Sequence, residues 1–142
     1  MKRLINGIEF DSDELIYLTS PFTSDDQSVE LARLNQAISA QRCLLEMGLK
    51  VFGPLIHSLP FLAIPHKQWM AIDCDILKAC QVLVVLMLDG WKESKGVRIV
   101  IGKAEDLDIS IEYLTPDAIL TASQQSTTIP SKHSNGDEPL EY

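Results

Sequence analysis

The sequence has no apolar run long enough to cross a bilayer. Its longest, Val82 to Leu88, is far short of the roughly 20 residues that a membrane helix needs, so no membrane partner is expected. Met1-Lys2-Arg3-Leu4-Ile5 leads straight into Asn6-Gly7 and acids, which is not the pattern of a signal peptide. Basic residues are too few to balance the acidic ones. The formal net charge is −8, and no basic stripe offsets it, which argues against polymeric nucleic acid as a partner. A single nucleotide is not excluded, because local charge decides that. The three cysteines, Cys43, Cys74 and Cys80, are an odd number and lie in apolar helical patterns. They read as reduced, buried thiols of a cytoplasmic protein. His57, His66, Asp73 and Cys80 include metal-ligand types but no tight pair spacing, so neither a metal nor another cofactor is expected. No internal repeat is present.

What is there is a strand–helix alternation. Its centre is Leu83-Val84-Val85-Leu86-Met87-Leu88, followed by Asp89-Gly90-Trp91-Lys92-Glu93-Ser94-Lys95-Gly96. The apolar run lacks polar alternation, so both faces should be covered, as in a parallel sheet between helices. Gly90 and Gly96 permit a tight turn and close approach of a ligand. Ser94 is placed to cap a helix whose first N–H groups would attract an anion. Around this corner, Leu15 to Thr19 reads as a strand stopped by Ser20-Pro21. A helix from one of the caps at 24–28 runs to about Met47, with Gly48 as its stop. Its inner stripe is Val29, Arg33, Ala37, Ala40, Leu44 and Met47. Leu49 to Phe52 is a second strand, Leu55 to Pro65 a long ordered loop, and His66 to Ala79 a helix. Gln81 to Leu88 is a third strand and Ser94 to about Asp106 a third helix, with Val97, Val100, Ile101, Ala104 and Leu107 inward. Ile109 to Leu114 is a fourth strand. The expected architecture is one α/β domain, a flavodoxin-like or Rossmann-like doubly wound parallel sheet of four or five strands, with order 2-1-3-4. Residues 1–14 read as an N-terminal extension or short hairpin, 15–120 as the domain and 121–142 as a disordered acidic tail.

The strand ends would converge on one edge. They present Tyr17, Ser20 and Pro21, then Pro54 and His57, then Asp89, Gly90, Ser94 and Gly96. Asp73 shares an apolar helix face with Trp69, Ile72, Ile76 and Leu77. A buried carboxylate is costly without partners. Either Asp73 bonds backbone N–H groups of a nearby loop, or it serves a ligand. Arg33 likewise either packs its stem and reaches water or turns toward the end of the first strand.

The order Ile16-Tyr17-Leu18-Thr19-Ser20-Pro21-Phe22, Val51-Phe52-Gly53-Pro54, His57-Ser58, Trp69, Asp73, Leu77, Cys80, then Leu83 to Leu86, Gly90-Trp91 and Ser94-Lys95-Gly96 resembles a group of small, mostly uncharacterised domains. These are related to the nucleoside 2-deoxyribosyltransferases and the 2-deoxynucleoside 5-monophosphate N-hydrolases. The resemblance covers Leu15 to about Leu114. It implies cleavage of a bond between an anomeric carbon and a base nitrogen, as hydrolase or transferase. One carboxylate attacks that carbon and a second acid assists the base to leave. Asp73 matches the family's aspartate near base and sugar, and Tyr17 a residue lining the base pocket. Ser94 matches a position that is serine in members holding a 5-phosphate, which favours a nucleoside monophosphate over a nucleoside. The resemblance also implies a homo-oligomer.

One departure matters. The family's helix reads Ser-x-Gly-x-x-x-Glu-x-Gly-x-Ala, and its glutamate is the nucleophile. Here Ser94, Gly96, Gly102 and Ala104 hold the frame, and Val100 occupies the glutamate position. Glu93 precedes the helix and is the nearest substitute. Glu105 lies five positions on, about 140° round the helix. The family's aspartate after the cysteine is replaced by Gln81. Two expectations follow: a nucleoside- or nucleotide-binding protein with weakened N-glycosidic cleavage, or a catalytically inactive binding or sensor protein.

Overall fold

The computed structural model describes residues 1–61 and 63–126. The chain opens with a hairpin of β1 (Lys2–Ile5) and β2 (Ile8–Asp11). Its turn is Asn6-Gly7, with φ of 53° and 81°. Two consecutive left-handed residues match the twist of a two-residue hairpin, which is why this pair makes one. Then come β3 (Leu15–Thr19), α1 (Gln27–Glu46), β4 (Lys50–Phe52), α2 (Pro54–Ser58) and a 3-10 turn (Leu59–Phe61). The second half is α3 (His66–Lys78), β5 (Val82–Leu86), α4 (Lys95–Asp106), β6 (Ser110–Leu114) and α5 (Pro116–Ser126).

The four strands β3 to β6 form one parallel sheet in the order β4-β3-β5-β6. This is the expected 2-1-3-4 order of a doubly wound, flavodoxin-like sheet. All five residues of β5 are buried, as its unbroken apolar run requires. One sheet face carries Ile16, Leu18, Val82, Val84 and Leu86. It is covered by Ala40, Cys43, Leu44 and Met47, by Ile119 and Ala122, and by Ile5 and Phe10 of the hairpin. The other carries Tyr17, Leu83 and Val85, covered by Leu77 and Cys80 and by Val97 and Ala104. Among the described residues no helix is long and apolar enough to cross a membrane.

Local chemistry sets the helix ends. Of the cap choices at 24–28, Asp26 is used. Its carboxylate accepts from the Ser28 N–H at 2.9 Å and the Ser28 hydroxyl at 2.7 Å, which hold its pKa below the ordinary range. Gly48, at φ 85°, ends the helix in a conformation that L side chains rarely adopt. Gln81 joins two elements. Its Oε1 accepts from the Leu15 N–H at 2.7 Å and its Nε2 donates to the Ala79 carbonyl at 3.1 Å. An aspartate could make only the first bond.

Three expectations are corrected. The stretch after Gly53 is not all loop: Pro54 opens α2 with its fixed φ already helical, and the 3-10 turn continues it. Leu107 is 39% exposed, because it is the cap residue that leaves the inward stripe of α4. Thr121 to Ser126 belong to α5, and the remainder of the proposed tail, 127–142, lies outside the described residues. The Ser/Thr/Gln composition hid this helix, whose inward residues Ile119, Ala122 and Ser123 are buried. Thr115 also starts it, its hydroxyl accepting from the Ala118 N–H at 3.1 Å. Ending the chain at Leu120 should therefore lower stability by about 1–2 kcal/mol, from lost helix and lost Ala122 burial. Urea unfolding checks this; an unchanged midpoint would remove α5 from the cooperative core.

Candidate functional site

At the carboxyl ends of the strands the expected residues fall into two groups. The first lies over the sheet face that holds Tyr17. Tyr17 and Phe52 have ring centroids 5.7 Å apart, Phe52 and His57 5.5 Å, and His57 meets Trp69 edge-on at 5.7 Å. Phe61 follows at 6.0 Å from Trp69. This chain of rings brings β3, β4, α2 and α3 together, and Asp73 stands one turn beyond Trp69 on α3. Sequence reasoning found Tyr17, His57 and Asp73 but gave no role to Phe52 or Trp69. Their signals were the place of Trp69 on the helix face of Asp73 and that of Phe52 before Gly53-Pro54.

The polar atoms of this group are unusual. Asp73 Oδ1 and Trp69 Nε1 are both buried, and neither has a hydrogen-bond partner among the described residues. Of the two alternatives for Asp73, bonding to loop N–H groups is not seen at that buried oxygen among the described residues. Each such orphan costs roughly 1–3 kcal/mol. Desolvation raises the Asp73 pKa, opposed by the positive potential of His57 and His66. Burial, with the Asp73 charge next, pushes the Tyr17 phenol well above its ordinary value. Cys80 is pushed up to about 11 by burial alone, so it is not a nucleophile at neutral pH. His57 itself is exposed.

The second group is the β5–α4 loop. Ser94 caps α4, its Oγ accepting from the Val97 N–H at 3.3 Å. Its carbonyl takes the Arg98 N–H at 3.1 Å. As in any helix, the N–H groups of its first turn, here Lys95 and Gly96, have no carbonyl within the helix to bond. Gly90 needs its glycine, at φ 85°. Gly96 does not: its backbone is helical and the space where a side chain would stand is open. A depression of about 220 Å³ is lined by Met87 to Glu93. Asp89 and Glu93 are exposed there, whereas Tyr17, His57 and Asp73 do not line it. One open loop removes little water from a ligand, so the buried orphan atoms of α3 are the stronger mark of a site.

Val100 joins the two groups. It is half-buried and packs into the same apolar cluster as Tyr17, Leu77 and Val97. Ser20 is half-buried and Pro21 buried, on the segment that α1 ties down. Of the two alternatives for Arg33, the side chain takes the turn toward the strand ends. Its guanidinium donates to the Phe22, Thr23 and Asp89 carbonyls at 3.2, 3.0 and 2.9 Å. Among the described residues no three His, Cys, Asp or Glu gather as a metal site.

The fold compares with that of a 2-deoxyribosyltransferase from the psychrotolerant bacterium Bacillus psychrosaccharolyticus. The two share 22% identity over 72% of each chain, with a TM-score of 0.55. The chain thus has the deoxyribosyltransferase-like fold that the sequence resemblance implied. No curated protein matches in sequence. Residues 14–112 match the family described as Domain of unknown function (DUF1937), and with well over half of its length inside that match the chain belongs to this family.

Proposed function

We propose that the protein binds a nucleoside or nucleoside monophosphate across the carboxyl ends of β3, β4 and β5. One observation carries this reading: a buried acceptor, Asp73 Oδ1, and a buried donor, Trp69 Nε1, lie one helical turn apart with no partner among the described residues. A sugar hydroxyl, or the edge of a base, offers both a donor and an acceptor and would satisfy them together. Tyr17, Phe52 and His57 supply flat apolar walls for the base. Ser20 and Pro21 border the entrance, and Asp89, Gly90, Ser94 and Gly96 form the end where a 5-phosphate would meet the first turn of α4. The likeness in fold to a 2-deoxyribosyltransferase supports nucleoside chemistry over other small ligands.

Cleavage of the N-glycosidic bond is a second reading, favoured by the raised pKa of Asp73. That carboxyl keeps a proton further toward neutrality, as an acid assisting a departing base must. Val100 offers no nucleophile, and Glu93 is exposed on the loop, so turnover is expected to be slow. Phe61, Ile64 and Ile72 are 53%, 38% and 39% exposed beside Trp69. They suit cover by a second copy of the chain, in keeping with a homo-oligomer.

A panel of nucleosides and their monophosphates tests both readings, with thermal shift and chromatography of free base read together. Monophosphates should raise the unfolding temperature more than nucleosides. Ser94→Ala should cost about 1 kcal/mol of stability through the lost cap and reduce the monophosphate shift to that of the nucleoside. If no member of the panel shifts the unfolding temperature or loses its base, the proposal is wrong.

A further inference from the structure

We infer that Arg33 is a positioning residue, which fixes the β5–α4 loop against the β3–α1 loop so that the phosphate end of the site is pre-formed. This rests on the nucleotide reading above, although Arg33 itself touches no ligand in it. Arg33 stands on α1, whose stripe covers the opposite sheet face from Tyr17, Asp73 and Val100. Its side chain crosses the strand ends. One Nη donates to the carbonyls of Phe22 and Thr23, the other to that of Asp89. The two loops it joins are separated by more than sixty residues of sequence and share no backbone hydrogen bond among those described.

Two further features fit a clamp. A Cβ on Gly90 would stand 2.5 Å from Arg33 Nη2, so a side chain there would push the guanidinium off its place beside the Asp89 carbonyl. No carboxylate among the described residues forms an ion pair with Arg33. Its charge is therefore spent on carbonyls, with Nε buried and without a partner among the described residues. Lysine could not reproduce this. A planar fork reaches carbonyls on two loops at once, whereas an ammonium is a single point on a flexible stem. Leaving the loop free would make each binding event carry the cost of ordering it.

Full-length protein carrying 5-fluorotryptophan tests the inference, because its two tryptophans report separately. Trp91 follows Gly90 on the clamped loop, and Trp69 lies on α3. In Arg33→Met the Trp91 fluorine resonance should move or broaden while that of Trp69 stays in place. Affinity for the four deoxynucleoside 5-monophosphates should fall roughly tenfold, with Arg33→Lys in between. An unmoved Trp91 resonance, or movement of both resonances together, would overturn the clamp; the second result would show general loosening. If Arg33→Met does not fold, Arg33→Lys is judged by the same two resonances. Failure of the unaltered protein to bind any nucleotide overturns the earlier reading, and the Trp91 resonance then decides the clamp by itself.

Discussion

Val100→Glu is expected to raise release of free base from a bound nucleoside monophosphate by about a hundredfold or more over the unaltered protein. A covalent or stabilising carboxylate is worth several orders of magnitude when removed from enzymes that use one, and only part of that should return in a single step. The geometry favours the attempt. Val100 lies on the α4 face that packs with Tyr17 and Val97, so a longer side chain there starts from the site's own wall. Asp73, with its raised pKa, is available as the second acid. The substitution also places a carboxylate in apolar surroundings. A loss of about 1–3 kcal/mol in stability is the expected penalty. Val100→Gln separates the two effects: it should show a similar loss of stability and no gain in base release. A folded Val100→Glu protein that binds nucleotide and releases no base would show that the glutamate position has been misassigned.

Asp73→Asn should move binding and stability in opposite directions. The folded protein holds the Asp73 proton more tightly than the unfolded chain does, because burial opposes its charge. The resulting penalty on the folded state is absent below the ordinary carboxylate value of 3.8. It grows as pH rises from there through the folded pKa, and is complete above it. Asn does not titrate. The variant should therefore be more stable than the parent at pH 7, and the difference should vanish near pH 3. Binding should weaken by roughly ten- to a hundredfold, the worth of a hydrogen bond to a charged group. Thermal unfolding across pH, beside nucleotide titration at pH 7, measures both. Loss of stability at neutral pH would mean that Asp73 holds the fold rather than a ligand, a trade that functional sites commonly show in the other sense.

Much of this architecture is legible in the sequence because its signals are local. The unbroken Val82 to Leu86 run demands cover on both faces, Ser94 precedes a helical pattern, and Gly48 and Asn6-Gly7 mark positive φ. The candidate residues Tyr17, His57 and Asp73 are visible as polar groups at strand ends or on an apolar helix face. What was missed depends on packing. Helix α2 is too short to show a period, and α5 hides a narrow inward stripe under polar composition. The Arg33 bonds end on carbonyl oxygens, which every residue possesses, so no residue type at the far end could announce them. The orphan state of Trp69 Nε1 is a statement about its surroundings, which no periodicity encodes.

The central place of β3 in the sheet has a consequence for how the chain acquires its shape. β3 is made early, but its neighbour β5 and its clasp at Gln81 arrive much later, Gln81 lying 66 positions after Leu15. Until then β3 has the three-residue pairing with β4 and cover from α1 and the hairpin on one face, while its Tyr17 face lacks Leu77, Cys80, Val97 and Ala104. On a ribosome the β5 edge and the Tyr17 face of β3 would therefore wait, unpaired and uncovered, until the second half of the chain is made. Assembly of the whole sheet would then come as a late, abrupt event, slow for a chain of this size.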